Sequence, residues 1–134
     1  MRDGTVGLYV ECIPVTPGPC TSPNARCPWQ RKARAVRELR EAARMAAIDA
    51  INRRSWAAPL PQHGPIALRW TVFLGRRERV RDFTNITGAL KGAEDGLFDA
   101  LRTNDARVVE VSVQQLRADD GRGWMQVAVV AIDR

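Results

Sequence analysis

The chain has almost no lysine, one histidine and one tyrosine in 134 residues. Lys32 and Lys91 are its only lysines, whereas 19 of its 21 basic residues are arginine. The single His, in a loop between Gln62 and Gly64 beside Pro61 and Pro65, has no evident partner and reads as a solvated loop residue. No apolar run approaches the ~20 residues of a membrane span, so no membrane partner is expected. The start, MRDGTVGLYVECIP, has no apolar core leading to a small-residue cleavage site; no secretory signal is expected, and the cytoplasm is the expected compartment. Cys12, Cys20 and Cys27 are odd in number and match no zinc spacing, so they read as reduced thiols.

What is present is charge of one sign. Twenty-one basic against fifteen acidic residues leave a net charge of +6 and a pI near 10.2. A small domain this basic favours polyanions, nucleic acid first, although Arg- and Ala-rich composition also follows from a GC-rich genome. With 45% apolar and 27% charged residues the chain reads as globular, and its length suits one domain spanning 1–134.

Hydrophobic periodicity supplies the elements. Residues 6–13 form a β-branched first strand, and the five prolines from Pro14 to Pro28 make the next segment a loop. From Gln30 to Asn52, Val36, Leu39, Ala43, Ala47 and Ile51 recur at helical spacing. Arg34, Arg37, Arg40 and Arg44 lie on the other side; they suit either a solvated face laced by pairs such as Arg37–Glu41 or a phosphate-facing surface. Ile66, Leu68, Trp70, Val72 and Leu74 then alternate with Ala67, Arg69, Thr71 and Phe73 as a strand with one buried face.

A helix over 84–101 follows, capped by Thr84 or Asn85, with Ile86, Leu90, Leu97 and Leu101 on its apolar side. Strands over 107–116 and 124–132, joined by A-D-D-G-R-G, are expected to pair as a hairpin, with Val109, Val111 and Val113 on one side of the first. The order is βαβαββ: an α+β domain with two helices on a mixed sheet. Trp70 and Trp124 read as core. Trp29 and Trp56 flank the first helix and read as packing residues ahead of base-stacking ones.

Residues 82–105 carry the chemistry. Asp82 follows a strand, Glu94 and Asp95 lie in a helix, and Asp105 precedes a strand. Such acids can meet at one sheet edge, where oxygen ligands suit Mg²⁺. Lys91 lies one turn before Asp95, as a surface ion pair or as a compact cation for a phosphate oxygen. Gly88, Gly92 and Gly96 recur every fourth residue, and each costs about 1 kcal/mol against Ala in a helix. They signal close packing by a helix, a nucleic-acid strand or another part of the sheet. Arg76, Arg77, Arg79 and Arg81 abut Asp82 and suit DNA phosphates.

The stretch DFTNITGALKGAEDGLFDALRTNDARVV, Asp82 to Val109, resembles the core of the RusA-like Holliday junction resolvases. It has the acid followed by Asn85, then K-x-x-x-D at Lys91 and Asp95. Asp99-Ala100-Leu101 comes next, then Asn104-Asp105 before a valine-rich strand. The chain carries D-x-x-N in place of the family's D-x-D-N, with Thr84 where a second carboxylate is usual. The resemblance implies a homodimeric, Mg²⁺-dependent endonuclease, with Mn²⁺ substituting, that nicks four-way DNA junctions symmetrically in recombination and repair. It implies no organic cofactor. It carries metal ligation to Asp82 and Asp105 and the catalytic lysine to Lys91. Asp95, or Glu94 beside it, would supply the missing oxygen. The alternative is a catalytically impaired DNA-binding protein of the same fold.

Overall fold

The computed structural model describes residues 4–23, 25–53 and 60–132. In chain order the elements are β1 (Gly4–Ile13), α1 (Trp29–Asn52), β2 (Ile66–Leu74), α2 (Phe83–Ala89), α3 (Lys91–Leu101), a 3-10 turn (Asp105–Arg107), β3 (Val108–Arg117) and β4 (Trp124–Ile132). This is the expected α+β order, a four-stranded mixed sheet with its helices on one face. The expected second helix is two helices, because the chain bends at Leu90. Asp82, not Thr84 or Asn85, caps α2: its backbone is extended and its carboxylate accepts the Asn85 N–H at 2.8 Å.

The sheet order is β1-β4-β2-β3, with β2 and β3 parallel and the other pairs antiparallel. The hairpin expected of β3 and β4 does not form: β2 lies between them. The segment 118–123 instead wraps round the end of β2, where the Ala118 N–H donates to Leu74 O and the Arg76 N–H to Gly121 O. That wrap needs Gly75, since a Cβ there would lie 3.1 Å from Gly123 N and 3.2 Å from Gly121 O. Burial explains the choice. An alternating strand with one apolar face gains most in the middle of a sheet, and β2 and β4 supply Leu68, Trp70, Val72, Met125, Val127 and Val129, all fully buried.

The core lies between that face and the helices, where Leu39, Ala43 and Ala47 of α1 meet Leu90, Ala93 and Leu97. β3 is an edge strand whose register slips by one residue between Val108 and Glu110. This bulge turns Val109 outward, so that Val111 and Val113, with Val108, pack on the core while Val109 is exposed. Trp124 is not core either. It stacks on Phe73, ring centroids 4.1 Å apart, and both side chains lie on alternate positions facing away from the helices. Trp29 is 75% exposed, and Trp56 lies outside the described residues.

The proline-rich segment contradicts the reduced-thiol expectation. Cys20 and Cys27 form a disulfide, because the loop turns back within seven residues and brings their Cα atoms to 5.8 Å; Cys12 is free and exposed. The loop packs against α2: Ser22 Oγ donates to Asn85 Oδ1 at 3.0 Å, and the Pro23 ring faces Gly88. The other two glycines of the stripe meet α1 itself. A Cβ on Gly96 would strike Arg40 O, and one on Gly92 would lie 3.1 Å from Val36 O. Among the candidates for close contact, the partner is therefore a helix and a loop of the same chain. No described helix is long and apolar enough to cross a membrane.

Candidate functional site

Lys91 opens α3 and Asp95 follows one turn later, so both side chains leave the same helical face. After α3 the chain reverses at Arg102, and Asn104 Oδ1 accepts the Ala106 N–H at 2.8 Å, starting the 3-10 turn. That turn carries Asp105 back beside the start of α3. Lys91 Nζ lies 3.0 Å from Asp105 Oδ2 and 3.3 Å from Asp95 Oδ1, an ammonium between two carboxylates from different elements. The hydrogen bond to Asp105, with that to Asp95, raises the Lys91 pKa against partial burial, so it stays charged through neutral pH.

Glu94 lies beside this group and is half-buried. Burial pushes its carboxyl up to about 7; Lys91 opposes the shift, and Asp95 and Asp105 add to it. The buried Trp70 indole N–H makes no full hydrogen bond, yet lies near enough to favour the ionised carboxyl. A raised folded-state pKa means that the folded chain holds a proton which the unfolded chain has released between pH 4.5 and 7. Stability contributed by Glu94 is thus lost as pH rises across that window. Glu94→Gln removes the loss. In EDTA, its melting temperature relative to wild type should climb from about pH 5 to about pH 8, by a stability difference of roughly 1–2 kcal/mol after solvent screening. A flat difference across thermal melts at these pH values would show that Glu94 ionises normally.

Asp82 takes no part in these contacts; its carboxylate is the α2 cap. Among the described residues no three His, Cys, Asp or Glu side chains are grouped to hold a metal ion, so Asp82, Asp95 and Asp105 do not stand as a ready three-ligand set. Asp95 and Asp105 nonetheless meet the smaller need of Mg²⁺, which binds through one or two carboxylates and keeps several waters.

The arginines divide sharply. Arg40 makes a two-pronged pair with Asp99, at 2.7 and 2.9 Å, which draws the Asp99 pKa below its usual value. Arg44 grips Glu41 in the same way, at 3.0 and 2.6 Å, so Glu41 pairs three residues onward and not with Arg37. Arg81 Nη2 donates to Pro17 O and Gly18 O, both at 3.0 Å, and its backbone is paired with the Gln115 side chain. All three guanidiniums are occupied within the free protein: those of Arg40 and Arg81 link separate segments, and that of Arg44 pairs within α1. Arg37, Arg76, Arg77 and Arg79 are exposed and make no side-chain ion pair among the described residues. His63 is exposed in its loop.

Sequence spacing finds Lys91 with Asp95, but the approach of Asp105 follows from the turn at 102–107. The residue it misses is Arg102, which lines an open cavity of about 490 Å³ with Arg40, Asp95, Asn104 and Asp105. A basic residue where a helix cap is usually Gly or Asn is the available signal.

No family model matches the chain, and no solved structure does. A protein of Xylella fastidiosa described as uncharacterized is 35% identical over 89 residues, covering 66% of this chain and 55% of that protein. The chain thus spans about half the length of this relative, whose description carries no activity.

Proposed function

We propose that the chain is a Mg²⁺-dependent endonuclease of the RusA-like type, which resolves four-way DNA junctions by paired phosphodiester hydrolysis in recombination and repair. The observation that carries this reading is Lys91 held between Asp95 and Asp105. The contact joins residues that the resemblance over Asp82 to Val109 singles out for catalysis. Asp95 and Asp105 would hold the metal, with Glu94 adding an oxygen; Asp82, at the start of α2, lies too far along the chain to join them. The ion would act as a Lewis acid on the phosphate and lower the pKa of a bound water.

The chain's own residues do the rest. When a phosphodiester enters, its non-bridging oxygens compete with the carboxylates for the Lys91 ammonium. Lys91 then offsets negative charge building on the phosphorus centre, and both carboxylates are released to hold a cation. Arg76, Arg77 and Arg79 grip phosphates further along the DNA without reading sequence. A homodimer would match the two-fold symmetry of the junction, and a cytoplasmic location would suit a DNA substrate.

The test is a labelled four-way junction and a matched duplex, incubated with the protein in Mg²⁺ or EDTA. Paired nicks on the junction alone, dependent on Mg²⁺, support the enzyme. A second reading, a DNA-binding protein with impaired chemistry, is favoured by Thr84 and by the use of Asp82 as a helix cap. It predicts junction binding that Mg²⁺ leaves unchanged, with no nicks.

A further inference from the structure

We propose that Arg102 anchors a DNA phosphate beside Lys91; the proposal rests on the nucleic-acid reading above and adds a residue to it. Arg102 is the only non-glycine residue with positive φ among those described, at φ 54 and ψ 42. The left-handed conformation is unfavourable for an arginine, and glycine or asparagine ordinarily ends a helix there. Strain of this kind persists where the surrounding structure imposes it, and it gathers at binding and active sites.

The guanidinium is also uncommitted. Arg102 is exposed, and its only hydrogen bond among the described residues is from its backbone N–H to Phe98 O. Its basic neighbours are engaged: Arg40 with Asp99, and Arg107 with the carbonyls of Pro61 and Gly64 and the hydroxyl of Thr103. Arg102 further borders the same cavity as Asp95 and Asp105.

Distance sets Arg102 apart from the arginines that precede Asp82. In the parallel pair, Ile66 lies beside Val108 and Leu74 beside Arg117. Asp105 therefore precedes the start of the β2–β3 pair, whereas Arg76, Arg77 and Arg79 follow its other end, roughly 30 Å along the strands. Those arginines serve remote phosphates. Among the described residues, the unpaired cation bordering the Lys91 group is Arg102, and its planar fork suits two non-bridging oxygens of one phosphodiester.

Arg102→Gly separates this role from a structural one, because glycine relieves the backbone while deleting the charge. Binding of a fluorescent four-way junction is measured by anisotropy in EDTA across roughly 50–300 mM salt, alongside thermal melts. The expected Arg102→Gly protein melts no lower than wild type yet binds about 5–10-fold more weakly, with a log K against log salt slope shallower by about 1. Arg102→Lys should restore the salt slope but only part of the affinity, because an ammonium keeps the charge and loses the two-pronged contact. Unchanged affinity and slope in Arg102→Gly, with wild type binding normally, would overturn the role of Arg102 and leave the nucleic-acid reading standing. Wild type that binds neither junction nor duplex at the lowest salt overturns both.

Discussion

Gly96→Ala should destabilise the fold by about 2 kcal/mol or more, although alanine is the better helix former by roughly 1 kcal/mol. The new Cβ would strike the carbonyl oxygen of Arg40 and lie 3.0 Å from Arg44 N. Both obstacles are backbone. No rotamer change clears them, so α1 has to lift off α3 and give up contacts made by Leu39, Ala43 and Leu97, all buried. Gly92→Ala should cost less, since its nearest contacts are at 3.1 Å and one of them is the Val36 side chain. Gly88→Ala should also cost less than Gly96→Ala, because the Pro23 ring it meets at 2.9 Å belongs to a loop and not to helix backbone. Urea unfolding of the three variants therefore gives Gly96→Ala as the least stable. A neutral Gly96→Ala would show that α1 and α3 do not approach as closely as described.

Lys91→Ala should lower single-turnover cleavage of a four-way junction by about 10²–10³-fold while leaving the fold intact. Its partners Asp95 and Asp105 are a third and a half exposed, at 33% and 51%, and surface pairs of this kind contribute about 0–1 kcal/mol. Any large loss of rate is then chemical. Lys91→Arg should restore little, because a planar fork held by two carboxylates does not present the same compact charge to one phosphate oxygen. Asp105→Asn should lose rate comparably, since it removes both an oxygen charge and the stronger hold on Lys91. Cleavage unchanged in Lys91→Ala, measured with protein in excess over junction, would remove Lys91 from the mechanism.

Both effects originate in short-range patterns written in the amino-acid sequence. The glycine stripe signals a close contact, and i,i+4 spacing places Lys91 with Asp95. Neither names the partner. Gly96 meets Arg40, which lies on a different helix, and Asp105 reaches Lys91 only because the chain reverses over 102–107. The basic stretch misleads in a related way. Arg76 to Arg81 look uniform in sequence, yet Arg81 is committed to carbonyls of the proline loop while its neighbours remain open.

The near-absence of lysine, the alternation of β2 and the apolar stripe of α1 are settled by the amino-acid sequence. Each is a local property: strand and helix periods of about two and 3.6 residues are written in neighbouring side chains. Tertiary structure alone decides that β4 enters between β1 and β2, that Cys20 closes on Cys27, and which arginines stay free for a ligand. Those outcomes depend on which distant surfaces bury the most apolar area and which charges then fall within reach. Such competition between segments is resolved only when the whole chain packs.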